Sequence, residues 1–446
     1  MYLLEQDFEP MKISTLGRIL NDFQMKELPR LQRFYNYYKG KQAITLKQAS
    51  DVGKPCNKIV TNYCRTIADN FEGYLTGVGI QYSNDKIDIS PILDVLNWND
   101  VKTEDADLLR QALIFGRAFE ICYIDELGNQ RFRTLDPRQC IPVYDNTLNN
   151  DLLYVIRFWK EDLMDENTES YIVEVYGGYD IKRYRSAPGF SSFQLLSAER
   201  HYYGQCPISV FSLNPEEESI FADIMSLQDA YNSLLSGEID DFDSFADAYL
   251  ILKGTVADDE DLENMKTHRV LMMDADASAE YLTKSISDTQ IVDMLQRVND
   301  NIHKIANCPD FSQESFGTSS GIALRYRLLG FENTAAAIES RMKKALQRRI
   351  ELIASILKLT LGDGAWRDIQ ITFTRNIPQN ITETVQIVNQ LRGVVSDETL
   401  LTQIPFVSDV EKEIEKLQAQ KEANLALYNF SNEEEVENED EDEADE

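Results

Sequence analysis

The chain has 446 residues, 43% of them hydrophobic, which is enough for a substantial core and more than one structural unit. Asp and Glu number 76 against 44 Lys and Arg, a formal charge of -32, and eleven of the acids fall in the last sixteen residues. Affinity for nucleic acid comes mainly from cations that neutralise phosphate, so this balance disfavours a protein that grips DNA over its whole surface.

The opening MYLLEQDFEP carries acids where a secretion signal needs a basic region, and no apolar run approaches a membrane span. The expectation is a protein made in a cytoplasm, with no membrane partner. Residues 20–40 are aromatic and charged, and Ile59, Tyr63, Ile67 and Phe71 recur at helical spacing between Asn57 and Tyr74. These stretches predict two N-terminal helices, the second closing near Gly73 or Gly77. A third is predicted from DADLLRQALIFG, ending at Gly116. The period then changes. From Ala118 to Leu213 the runs FEICYI, RFRTL, IPVY, YVIRFW, YIVEVY and ISVFSL are separated by turn chemistry at Gly128-Asn129, Asp136-Pro137, Asp145-Asn146, Gly177-Gly178 and Pro188-Gly189. This predicts an antiparallel meander and an α+β fold class.

From Glu216 to Leu252 there are ten Asp or Glu and no Lys or Arg, while Ile220, Ile224, Leu227, Tyr231, Leu234 and Leu235 mark an apolar stripe. A helix is predicted here, with a possible break at Gly237. Its acids suit either an ordinary solvated face or a surface that meets a polyanion without gripping it. YLILKG then reads as a strand leading into a charged insert, Thr255 to Lys284, with the character of a compact β-containing knob. Helical spacing returns at Ile291, Leu295, Val298 and Ile302, stops before Cys308-Pro309, and yields to the loop FSQESFGTSSG. A long helical region is predicted from about Ile322 to Leu359, its later ladder Met342, Leu346, Ile350, Ile353 and Leu357 facing away from Arg341, Lys344, Arg348 and Arg349. Those cations read equally as salt-bridge partners and as DNA contacts. Ser408 and Glu411 form a plausible capping box, and the acidic tail beyond Phe430 has little to bury and is expected to be disordered.

Chemical motifs are scarce. Gly40-Lys41 lacks the rest of a phosphate loop, DADASAEYL lacks the glycine and closing Glu of a calcium loop, and no G-x-S-x-G elbow occurs. The six cysteines form no C-x-x-C pair and the three histidines are far apart, so the thiols read as reduced and no metal or other cofactor is indicated. One catalytic alternative is a metal-dependent nuclease using Asp240, Asp241 and Asp243, although no Lys or His lies nearby in sequence.

Taken in order, these segments resemble the portal proteins of long-tailed bacteriophages, in the branch of phages with Gram-positive hosts. The resemblance covers most of residues 20–430. It is carried by NKIVTNYCRTIADNFEGYLTG, LDPRQCIPVYD, DAYLILKG, EYLTK, SSGIALRYRLLGFENTAAAIESRMKKALQRRIELI and GVVSDETLLTQIPFV. It implies a non-enzymatic ring, commonly of twelve copies, at one capsid vertex, through which DNA is packaged, retained and ejected. The implied parts are a wing over 1–215, a first stem helix over 216–250, a clip over 251–286 and a second stem helix over 287–307. A tunnel loop over 308–320, a long helix and wing return over 321–379, a crown over 380–430 and the tail over 431–446 complete it.

Implied partners are the terminase large subunit, the major capsid and scaffolding proteins and a head-tail adaptor. Candidate channel-lining acids are Glu238, Asp240, Asp241, Asp243 and Asp247. Candidate tunnel-loop residues are Asp310, Phe311, Ser312, Gln313, Glu314, Ser315, Phe316 and Gly317. Twelve helices each about 10 Å wide around a circle leave roughly 28 Å clear, room for a duplex about 20 Å across. Acids facing that bore repel phosphate and leave moving DNA no deep electrostatic trap.

Overall fold

The computed structural model describes residues 2–5, 11–49, 55–161, 170–245, 249–253, 278–282, 288–312, 321–357, 364–376, 388–401, 404, 410 and 413–421. The chain divides into two compact units, Met1–Asn376 and Ile377–Glu446.

In the first unit, α1 (Ile13–Asp22) runs through a π turn at Phe23–Glu27 into α2 (Leu28–Tyr38). Helices α3 (Tyr63–Thr76), α4 (Ser90–Trp98) and α5 (Val101–Phe115) follow. Helix α5 ends where the sequence indicates, because Gly116 takes φ 78° and a Cβ there would lie 2.1 Å from the Glu217 carbonyl oxygen. Only glycine permits both that turn and that approach. The same junction is closed by Leu213 N–H donating to the Gly116 carbonyl at 2.8 Å and Ile220 N–H to the Leu113 carbonyl at 3.0 Å.

The meander is present, divided between two sheets. Strands β3 (Arg117–Ile124), β4 (Gln130–Leu135) and β10 (Ile208–Ser212) form an antiparallel sheet in the order β10-β3-β4. Strands β1 (Tyr2–Leu4), β5 (Cys140–Asp145), β6 (Leu152–Glu161), β7 (Ser170–Tyr176), β8 (Asp180–Ser186) and β9 (Phe193–Arg200) form the other, in the order β1-β5-β6-β7-β8-β9. Its one parallel pair is β1 with β5. The predicted turns hold these strands apart. Asp125 accepts from Leu127 and Asn129 N–H groups, and buried Asp145 accepts from Thr147 and Asp151 N–H groups. Phe119, Cys140, Val155 and Ile208 meet in one apolar cluster. A separate antiparallel pair joins β2 (Ile80–Ser83) to β13 (Gln370–Phe373).

Helix α6 (Met225–Phe245) is continuous through Gly237, so the suspected break is absent. The strand predicted at YLILKG is β11 (Tyr249–Lys253), paired antiparallel with β12 (Ser278–Leu282); the remainder of the insert lies outside the described residues. Helix α7 (Asp288–Ile305) and the long α8 (Gly321–Ile356) match their predicted periods, with Met342, Leu346, Ile350 and Ile353 buried. In the second unit, α9 (Asp397–Leu401) is capped at Ser396, whose Oγ accepts from Thr399 N–H at 3.3 Å, and residues 413–421 are helical. The Ser408/Glu411 capping box and the acidic tail lie outside the described residues. No described helix is long and apolar enough to cross a membrane.

Candidate functional site

The helix predicted from Asn57 begins only at Tyr63, and the reason is α6. Residues 57–62 form neither helix nor strand, and alternate N–H groups from Asn57 to Tyr63 are taken by α6 side chains spaced four apart. Asn57 N–H donates to Asp240 Oδ1 at 2.6 Å, Ile59 N–H to Ser236 Oγ at 3.0 Å, Thr61 N–H to Asn232 Oδ1 at 3.0 Å and Tyr63 N–H to Gln228 Oε1 at 2.9 Å. Two extended residues advance about 6.6 Å and four helical residues about 6.0 Å, so the two periods stay in step over three repeats. Gln228, Asn232 and Ser236 are fully buried polar groups, and each is satisfied by this ladder. Gln228 also returns an N–H to the Thr61 carbonyl, and Asn232 donates to Gln42. Asn232→Ala should cost about 1–3 kcal/mol, because the Thr61 N–H and the Gln42 amide oxygen would be left buried without partners. Urea denaturation of the purified variant measures this, and Ser233→Ala, one residue round the helix on its exposed side, is the control.

The ladder decides how the acids of α6 are used. Asp240 has Lys47 Nζ at 2.5 Å on one oxygen and both Asn57 donors on the other, and Asp243 accepts from the Asn57 amide at 2.8 Å. The Lys47 and Asn57 hydrogen bonds hold the Asp240 carboxyl below its ordinary pKa despite its desolvation. Farther up, Asp229 accepts from the Tyr37 hydroxyl at 2.6 Å, and burial with this carboxylate pushes the Tyr37 phenol up to about 12. At about 100° per residue, Asp240 and Asp243 lie on the ladder side of the helix, whereas Asp241 and Glu238 lie on the other side. Asp240 is therefore an anchor of the segment 57–62, which departs from the expectation of a side chain free to line a bore. Asp247 lies outside the described residues.

The loop after α7 is described only at its start. His303 Nδ1 lies 2.9 Å from the Cys308 carbonyl, Ser312 N–H donates to Asp310 at 3.0 Å, and the Phe311 ring packs edge-on against Phe331 of α8 at 5.8 Å. Phe331 is itself buried against Phe71 and Tyr74 of α3. Gln313, Glu314, Ser315, Phe316 and Gly317 lie outside the described residues.

The cations of α8 separate into different roles. Arg349 is completely buried, correcting the expectation that it reaches DNA. Its guanidinium grips Glu120 of β3 through two bonds of 2.6 and 2.7 Å, donates to Asp105 of α5, and lies 4.5 Å from the Phe132 ring centre. Tyr82 of β2 donates to the same Asp105 at 3.2 Å. Arg348 is also occupied, with Gln205 at 2.6 Å and Glu351 at 2.7 Å. Arg341 is half-buried and Lys344 exposed. All six cysteines are free thiols, five of them buried; burial pushes Cys206 and Cys308 up to about 11, away from nucleophilic chemistry at neutral pH.

Comparison with known proteins places this geometry. The chain is 24% identical over 395 residues to the portal protein of Bacillus phage SPP1, covering 83% of this chain and 78% of that protein. It is 24% identical over 386 residues to the portal protein of Clostridium phage phiCD119 (strain Clostridium difficile/United States/Govind/2006), covering 81% and 84%. A solved structure, the neck of an empty GTA particle computed with C6 symmetry, aligns over 76% of this chain and 88% of its own at 12% identity with a TM-score of 0.45. The model of the phage portal protein family, SPP1 Gp6-like, matches residues 18–425, so the chain belongs to that family.

Proposed function

We propose that the chain assembles into a ring-shaped channel, commonly of twelve copies, through which double-stranded DNA enters a phage capsid, is retained and is ejected. The observation that carries this reading is the family match over residues 18–425, joined to a 21-residue helix whose charged side chains are all acidic. Chemistry and force come from elsewhere. A terminase large subunit docks on the clip during packaging, a head-tail adaptor replaces it, and the rim meets the major capsid and scaffolding proteins. Within the family register, 1–215 serve as wing, α6 and α7 as stem, 251–286 as clip and 380–430 as crown. Glu238 and Asp241, on the side of α6 away from the ladder, are the described acids proposed to face DNA. Lys344 and Arg341 remain the basic candidates on α8.

A metal-dependent nuclease at Asp240 to Asp243 finds no comparable support, because both oxygens of Asp240 already accept from Lys47 and Asn57. Negative-stain microscopy of the purified protein separates the two readings. Rings with a central channel are expected; a monomer under all conditions that cleaves DNA with Mg²⁺ would overturn the channel.

The turn at Asp310–Ser312 is proposed to begin the tunnel loop. Deleting Ser312 to Ser315 should leave ring yield near that of the parent, because α7 and α8 keep their packing faces, but should lower the DNA content of filled capsids. Normal packaging and retention in that deletion would move the tunnel loop elsewhere.

A further inference from the structure

Among the described residues α7 packs against α6, and a cleft opens on each of its two flanks. On the first, Asp300, Lys304 and Asn307 face the first turns of α8, where Arg327, Gly330 and Phe331 border the same cleft. The approach there is close, since a Cβ on Gly330 would sit 3.2 Å from Asn307 Oδ1. On the second flank, Val292, Leu295, Gln296 and Asn299 border an open cavity of about 520 Å³ closed behind by Tyr63 of α3 and Tyr231 of α6. Val292 is 57% exposed there, one residue off the apolar period of Ile291, Leu295, Val298 and Ile302.

The side of α8 turned away from its own α7 carries matching groups. Tyr326 is 76% exposed and Leu329 55% exposed, and Arg325 is exposed beside them. Among the described residues the cavity lining contains Asp310 and no Lys or Arg, a surface that suits an arriving arginine. Its mixture of aliphatic, aromatic and hydroxyl or amide groups suits a tyrosine, whose ring needs apolar walls and whose hydroxyl needs a polar partner.

Resting on the ring reading above, we propose that the second flank of α7 is the seam between copies: Tyr326 and Leu329 of one copy enter the α3–α6–α7 cavity of the next. Each α7 is then held between the α6 of its own chain and the α8 of its neighbour. Such a contact joins two different surfaces of one chain, the head-to-tail kind that closes into rings when the rotation fits. It also covers the exposed apolar groups of both surfaces with one another.

Cross-linking tests the contact. On a Cys56→Ser background, Val292→Cys and Arg325→Cys, which leave Tyr326 in place, are made separately and together and treated with a short bismaleimide after assembly. The double variant should give a ladder of covalent oligomers, co-assembled single variants should stop at dimers, and either single variant alone should give none. Tyr326→Ala, at a site too exposed to affect folding, should lower the ring fraction at fixed protein concentration by roughly tenfold, as for one aromatic anchor. A within-chain cross-link, or none, on intact parent-like rings overturns the seam while leaving the channel standing. Absence of rings from the parent protein overturns the channel reading itself, and the seam with it.

Discussion

Replacing Arg349 by Met should destabilise the first unit by about 3–5 kcal/mol, the cost of leaving buried carboxylates without their cation. The side chain is fully buried, with Glu120 on two nitrogens and Asp105 on the third, and these partners bind α8 to β3 and α5 at one point. Urea denaturation followed by intrinsic fluorescence measures the loss. Adding Asp105→Asn and Glu120→Gln to Arg349→Met should recover part of it, because neutral amides cost less to bury than charges. If the single variant loses less than about 1 kcal/mol, the guanidinium is not the keystone of this contact.

The pH dependence follows from the same groups. Burial raises both the Asp105 and the Glu120 carboxyl above their ordinary values, against the opposing pull of Arg349. A carboxyl raised in the folded state binds its proton more tightly there than in the unfolded chain. Its stabilising contribution is therefore full below the unfolded value and is lost as pH rises through the folded one. Without Arg349 both carboxyls rise further, so the deficit of Arg349→Met relative to the parent should narrow as pH falls from neutral into the mildly acidic range. A deficit that widens on acidification would reverse the assignment.

Arg349 also marks where sequence stops being legible. Its partners lie 229 and 244 residues away, so no local spacing separates it from Arg341 or Lys344 on the same helix. Local chemistry was legible: Gly116 ends α5, and the Gly, Pro and Asp turns divide the meander, because turn residues act through their own backbone. Strands β8 and β9 escaped, since DIKRYRS and FQLLSAER, the last two strands at one end of their sheet, show no apolar alternation. The start of α3 was misplaced because Asn57–Asn62 has helical apolar spacing while its N–H groups are claimed by a helix some 170 residues on. One signal was available. Gln228, Asn232, Ser236 and Asp240 repeat every four residues, a polar row along a face that a solvated helix has no reason to keep in register.

That row makes the second large effect a comparison between acids on one helix. Glu238→Lys with Asp241→Lys should leave ring assembly intact and slow DNA passage, most clearly at low salt. In a ring of twelve, about 24 negative charges would become about 24 positive ones, a belt that binds phosphate by releasing counterions and weakens as salt rises. Asp240→Lys should behave differently. It would set an ammonium beside Lys47 and remove the acceptor of both Asn57 donors, so the segment 57–62 would detach from α6 and the variant would lose stability and ring yield before any effect on DNA could be read. The measurements are ring yield by microscopy, thermal unfolding, and packaging rate across a salt series. Unchanged packaging at low salt in the Glu238/Asp241 variant would show that this side of α6 never meets DNA. Full stability in Asp240→Lys would show that the ladder does not depend on its last rung. A slow, salt-sensitive first variant beside an unstable second one would assign the acids of a single helix to two tasks, repelling phosphate on one side and fixing the wing on the other.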